Sequence, residues 1–251
     1  MLVNLFKMTL KDRFLGSGLG ILWAVFSPLM LMGIFVFVFS FVFPGRLPGR
    51  DGTQPFVLWL ISGYGPWLAL SEGLSNATGS VVSNGGIVKN IAFKSELLPM
   101  VGAALGVVPL LVSFALILVL QALGGTPPNL AWLSIPYIVL IQFVFVSGCG
   151  LFLASLNVFV RDVALVLPNL LTLILFASPI FYPISAYPDA VEPFLAFNPF
   201  YVIAEGYRKP MLDGVPLAPA MMLYISVLSV GIFMAGLWWF RRLRVFFDAR
   251  L

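Results

Sequence analysis

Charge is what this sequence has least of. Of its 251 residues only 10% are Asp, Glu, Lys or Arg, against 61% hydrophobic, where a soluble domain carries roughly 25% charged residues. A water-solvated surface is therefore excluded for most of the chain. There is no histidine and a single cysteine, Cys149. An internal disulfide framework is impossible, and zinc or haem sites lack their usual ligands. Without histidine, neither a Ser/His/Asp nor a Cys/His set can be assembled. The sequence contains no G-x-x-x-x-G-K-[ST] phosphate loop, so this chain does not bind ATP by that device. Cys149, in Ser147-Gly148-Cys149-Gly150, reads as a small packing residue within a span.

What is present is a series of long uncharged runs: Ser17 to Gly45, Gly52 to Ser71, Leu97 to Val160, Val163 to Pro188 and Val215 to Phe240. Around 20 residues of helix cross the hydrocarbon of a bilayer. The third run accommodates two spans, divided at Gly124-Gly125-Thr126-Pro127-Pro128-Asn129. The expected fold is an all-α integral membrane protein of one transmembrane domain, residues 1–251. Its six helices fall at 19–43, 56–77, 97–123, 130–157, 163–182 and 217–240. The first run is too long for a signal peptide and is expected to remain as the first span.

Residues 1–17 form an amphipathic interface helix in this reading. Leu2, Val3, Phe6, Leu10 and Phe14 share one side; Lys7 and Lys11 lie opposite, and Arg13 is placed to snorkel. The alternative is a frayed basic terminus serving topology alone. In the second span Glu72 is an ionisable group close to the membrane, and such groups are functional candidates by default; its position near the span's end also lets it reach interfacial water. The connection 183–214 holds two apolar patches, Val191 to Phe197 and Phe200 to Ala204, broken at Asn198-Pro199. Both are too short to span. They are expected to be short re-entrant or interfacial helices, because bare backbone in hydrocarbon is costly.

Basic residues set the orientation. Lys7, Lys11, Arg13, Lys89, Lys94, Arg161, Arg241, Arg242, Arg244 and Arg250 lie on the side of both termini, ten in all. Arg46, Arg50, Arg208 and Lys209 lie on the other, four in all. Both termini are expected to be cytoplasmic.

One charged stretch interrupts the apolar pattern, Ser83 to Pro99, between spans two and three. At 100° per residue Ile87, Val88, Ile91 and Ala92 share a face, with Lys89, Asn90, Lys94 and Glu96 opposite and Phe93 among them. The stretch reads as a surface helix over 84–96, or else as an ordinary solvated loop. An aromatic on a polar face suits an anchor for a partner's pocket, with Lys89 and Glu96 as rim charges. The turn at Arg161-Asp162 is a second cytoplasmic candidate.

A proton or sodium relay would show several polar groups at mid-membrane depth. Only Glu72, Gln142 and Asn157 qualify, so an ion-driven carrier is poorly supported. The aromatic content is 15%, including 24 Phe and six Trp. Most are expected to face lipid or form interfacial belts. A subset including Phe197 and Tyr201 is a candidate outer pathway, since sugar rings stack on aromatic faces without needing charge.

Several segments in order resemble the membrane subunit of type 2 ABC exporters for polysaccharides, the O-antigen and teichoic-acid permeases. These are Lys11-Asp12-Arg13 with Gly16 to Trp23 and Ser27-Pro28-Leu29, Gly63 to Trp67, Ile87-Val88-Lys89 with Phe93, Glu96 and Leu98-Pro99, Leu156 to Phe159 with Arg161-Asp162-Val163, Ser178 to Pro183, and Asn198-Pro199 with Tyr207-Arg208. Lys94 stands where the family usually has proline, and Asn90 where a second basic residue is common. The resemblance implies that 84–96 is a coupling helix, with Ile87, Lys89, Phe93, Lys94 and Glu96 facing an ATPase. It also implies a half transporter in the bacterial cytoplasmic (inner) membrane that pairs with a second copy of itself. Two separate nucleotide-binding subunits would bind ATP and Mg, this chain holding no cofactor of its own. The substrate would be a lipid-linked polysaccharide and not nucleic acid. A type 2 permease for drugs or lipids is the alternative within the family, and an ion-coupled carrier the alternative outside it.

Overall fold

The structure is a computed structural model, and it describes residues 2–14, 18–42, 53–86, 94–125, 127–188, 190–247 and 250. Those residues form helices and turns, with no strand among them. In chain order the α-helices are α1 (Leu2–Phe14), α2 (Trp23–Phe37), α3 (Thr53–Ser83), α4 (Leu97–Ala104), α5 (Val107–Leu123), α6 (Ile135–Phe159), α7 (Asp162–Ala177), α8 (Glu192–Ala196), α9 (Pro199–Arg208) and α10 (Pro219–Leu243). Four helical stretches are long and apolar enough to cross a membrane: Trp23–Val42, Leu97–Leu123, Leu130–Phe159 and Pro219–Phe246.

Punctuation follows local chemistry. Prolines occupy the first positions of α6, α8, α9 and α10, where the missing N–H would have no helical partner anyway. Asn198 accepts from the backbone N–H groups of Phe200 and Tyr201 and so caps α9. Beyond α9 a wider turn, Lys209–Asp213, ends at Gly214 with φ +70°, a conformation glycine adopts at low cost.

The hub is the helix with the weakest claim to be one. α3 carries Ser, Thr, Gly and Pro throughout, yet it packs against α2, α4, α5, α6, α7 and α9. Its hydroxyls fold back onto their own helix: Ser62 Oγ donates to Trp59 O at 3.0 Å, Thr78 Oγ1 to Leu74 O at 2.8 Å and Ser80 Oγ to Ala77 O at 2.7 Å. With those donors satisfied, small polar residues can be buried. They also let neighbours come close. A Cβ on Gly102 of α4 would lie 2.6 Å from Ala77 Cα, and one on Gly148 of α6 would lie 2.6 Å from Phe233 N of α10.

The expected spans are modified where backbone and sequence conflict. The 97–123 span is divided at Leu105-Gly106. Pro109 cannot donate to Leu105 O, and Val108 N takes that carbonyl at 3.2 Å instead. The 163–182 span keeps its helix only to Ala177. Ser178, which precedes Pro179, is extended at φ −100°, ψ 149°, as residues before proline prefer.

Candidate functional site

Toward the C-terminal ends of α3, α6 and α10 lies a small shared apolar core of Val81, Leu151, Ala154, Val158, Phe240 and Phe247. Phe247 folds back against Phe240, ring centroids 5.3 Å apart and nearly perpendicular. The charged candidates of the sequence fall as follows. Lys11 on α1 and Lys94 before α4 are exposed. Arg161 and Asp162 are exposed at the start of α7, where a carboxylate complements the helix dipole. Asn157 fixes that turn, donating to Thr78 O at 3.1 Å and accepting from Ala164 N at 3.3 Å. Ile87, Lys89, Phe93 and the side chain of Arg13 lie outside the described residues, as does most of the expected 84–96 helix.

Glu96 is a correction. It was expected as an exposed rim charge, but it is 7% exposed and turned inward. It sits at the N-cap position of α4 without capping it. Its carboxylate instead meets Arg241 Nη2 at 3.4 Å and Arg244 Nη1 at 3.2 Å, both on the last helical segment. Two guanidinium groups outweigh a cap hydrogen bond for a carboxylate out of water.

The 183–214 connection folds as α8, α9 and the Lys209–Asp213 turn. Arg208, counted with the charges on the side opposite the termini, is its anchor. It is 2% exposed. Its Nε donates to Trp59 O at 3.3 Å, Nη1 to Pro179 O at 3.1 Å and to Glu205 Oε1 at 3.3 Å, and Nη2 to Ile180 O. The Cζ lies 3.9 Å over the Trp59 ring. Burial pulls the guanidinium's pKa down, and Glu205 pulls it back up. Two of the carbonyls it serves, those of Pro179 and Ile180, lie just beyond the end of α7 at Ala177, and the third, Trp59 O, belongs to α3. Gly63 makes room for it, since a Cβ there would occupy the guanidinium's position.

Several other polar contacts tie this connection to the helices around it. Tyr207 Oη donates to Gln142 Oε1 at 2.7 Å, and Gln142 Nε2 donates to Pro66 O at 2.9 Å. Gln121 Nε2 donates to Met211 O at 2.8 Å, and Asn129 Nδ2 to Pro210 O at 3.2 Å. Asn198 Nδ2 donates to Ser178 Oγ at 2.9 Å. Gln142 and Asn157, two of the candidate relay groups, are thus spent on packing. Glu72 borders a cavity of about 180 Å³ with Leu10, Trp23, Ser27, Pro28 and Val108.

Of the aromatics, Phe35, Phe39, Tyr64, Phe176, Phe181 and Tyr182 form one contiguous cluster joining α2, α3 and the end of α7. Phe181 and Tyr64 are buried at its centre, while Phe176 and Tyr182 are exposed at its edge. Phe197 is 58% exposed, its carbonyl accepts from Tyr224 Oη at 2.6 Å and its ring meets Tyr224 edge-on at 5.6 Å. Tyr201 is half-buried. Burial, with Glu205 adding to it, pushes its hydroxyl up to about 12, so it stays neutral.

Glu205 three residues before Arg208, an i,i+3 spacing on a helix, was the available sign that this arginine has a partner. Nothing comparable marked Gln121 or Asn129, whose partners are backbone carbonyls far along the chain.

Comparison with known proteins gives consistent matches. A family described as ABC-2 type transporter matches residues 2–212. An O-antigen export system permease protein of Klebsiella pneumoniae is 27% identical over 231 residues, covering 92% of this chain and 85% of its own. A protein of the same description from Myxococcus xanthus is 30% identical over 210 residues, covering 83% and 78%. A polysialic acid transport protein of Escherichia coli is 22% identical over 236 residues, covering 93% and 89%.

Proposed function

This chain belongs to the ABC-2 type transporter family, and from that premise we propose that it is the permease half of an ATP-driven exporter. Its cargo is a lipid-linked polysaccharide of the O-antigen kind. The observation that carries this reading is the similarity, over 92% of the chain, to a relative described as an O-antigen export permease.

In this reading the chain crosses the bacterial inner membrane six times with both termini in the cytoplasm. α3 and α7 complete the four longer apolar stretches. Two copies pair to enclose the path. Two nucleotide-binding subunits dock beneath them and hold ATP and Mg. Ile87, Lys89, Phe93 and Lys94 meet those subunits, Phe93 as the anchor and the lysines as rim charges. Arg161 and Asp162, exposed at a turn braced by Asn157, form a second contact. Lys11 and Arg13 hold α1 at the interface. Phe197 and Tyr201 border the outer mouth.

An ion-coupled mechanism has less to work with, because the buried amides Gln142 and Asn157 already have protein partners.

The test is genetic and biochemical. Removing this chain from its host should strand polymer inside the cytoplasmic membrane. Restoring it together with the ATPase subunit should return polymer to the surface. Restoring Phe93→Ala should give normal membrane levels without export. Surface polymer that persists after removal would sink the reading.

A further inference from the structure

We propose that Glu96 is a positioning residue that hands motion from the ATPase contact to the last membrane helix. This rests on the exporter reading above and names a step within it. Glu96 closes the Lys94–Glu96 turn and opens α4, so it lies directly between the coupling segment and a span. A carboxylate at the start of a helix ordinarily serves that helix. Here it does not. It is buried and is held by Arg241 and Arg244, about 145 residues later in the chain.

The surroundings make this contact a point of transfer. Arg241 and Arg244 end α10 and begin the turn that carries Phe247 back onto Phe240. That turn is seated on Val81, Leu151, Ala154 and Val158, from the ends of α3 and α6. α10 itself lies flush against α6 at Gly148 and Gly236. A displacement of Lys94–Glu96 therefore reaches α10 through one carboxylate and then spreads through close-packed backbone, which is not compressible. The two sides are unequal. Arg241 and Arg244 keep side-chain exposures of 57% and 45%, against 9% for Glu96. Loss of the carboxylate leaves two solvated arginines, so Glu96→Gln should fold. Loss of the arginines leaves a buried carboxylate alone, which is the more damaging change.

The experiment uses the full exporter with its ATPase subunits in membranes and reads polymer exported per ATP hydrolysed. Glu96→Gln should assemble with the ATPase at the normal level and hydrolyse ATP normally. Its export per ATP should fall roughly tenfold, within the usual range of coupling between sites. Glu96→Asp, which keeps the charge, should recover part of the loss. Adding Arg244→Gln to Glu96→Gln should cost nothing further, because residues that act through one contact are not additive. Wild-type export per ATP in Glu96→Gln would overturn the proposal. So would loss of ATPase association in Glu96→Gln, which would make Glu96 a docking residue, and so would additive losses in the double variant. A wild-type chain that never associates with an ATPase would overturn the exporter reading as well.

Discussion

At the scale of single residues, Arg208 decides more than any other. An arginine in an apolar stretch is costly unless every donor finds an acceptor. Arg208 finds three carbonyls, one carboxylate and an indole face. Arg208→Ala would leave Glu205 unpaired and the Pro179 and Ile180 carbonyls bare. We expect a loss of about 3 to 5 kcal/mol, the usual penalty for breaking a buried pair. It should appear as a lowered melting temperature in detergent and reduced membrane levels. Arg208→Lys should fail nearly as badly, since a point charge cannot serve a fork of carbonyls and stack on Trp59. Near-normal melting of the lysine variant would show that charge alone is what the site needs. Glu96 is the second decisive residue. Both it and Arg208 were visible in the sequence as charges at the margins of apolar runs. Which way they pointed was not, because direction depends on partners 28 to 149 positions away.

Elements were legible to different degrees, and the differences have physical causes. α6 and α10 follow from uncharged runs, and their limits lie within a few residues of expectation, whereas the expected 97–123 span is split into α4 (Leu97–Ala104) and α5 (Val107–Leu123). α1 follows from one apolar stripe. α3 was legible as a helix but not as the hub, because central position here depends on small residues that add little hydrophobicity. Gly63, Gly102, Gly148 and Gly236 matter for the side chains and backbone they admit. No periodicity analysis sees an absence of bulk. The break at Leu105-Gly106 and the stop at Ala177 were both written in prolines, Pro109 and Pro179. They were read past because the surrounding apolarity continued. The two patches of the 183–214 connection were read as short helices, and α8 and α9 stand there. α9 is buried and α8 is not, and the polar partners that make the burial of α9 possible, Gln142 and the Trp59 and Pro179 carbonyls among them, come from other segments.

At the scale of the whole molecule, the two faces contrast. One is rich in arginine and lysine, and the other carries the 183–214 connection, anchored by Arg208, Tyr207 and Asn198. This supports the proposed orientation and makes it testable. In a Cys149→Ser background, cysteines introduced at Gly49 and at Asp213 should react with a membrane-impermeant thiol reagent on intact cells. Reaction only after permeabilisation would reverse the assignment. The early end of α7 carries a further implication for the bilayer itself. Sixteen helical residues extend about 24 Å at 1.5 Å per residue, against hydrocarbon roughly 30 Å thick. In the proposed six-span reading the remainder of that crossing falls to the irregular chain from Ser178 to Tyr182, held by Arg208 at Pro179 and Ile180. On that reading we expect lipid beside α7 to thin to meet it, a hydrophobic mismatch relieved in short-chain lipids. Reconstituted export should be faster in bilayers of shorter acyl chains and slower in longer ones, so that membrane thickness acts as a setting on the transporter; a rate indifferent to chain length would mean that the protein does not deform its bilayer there.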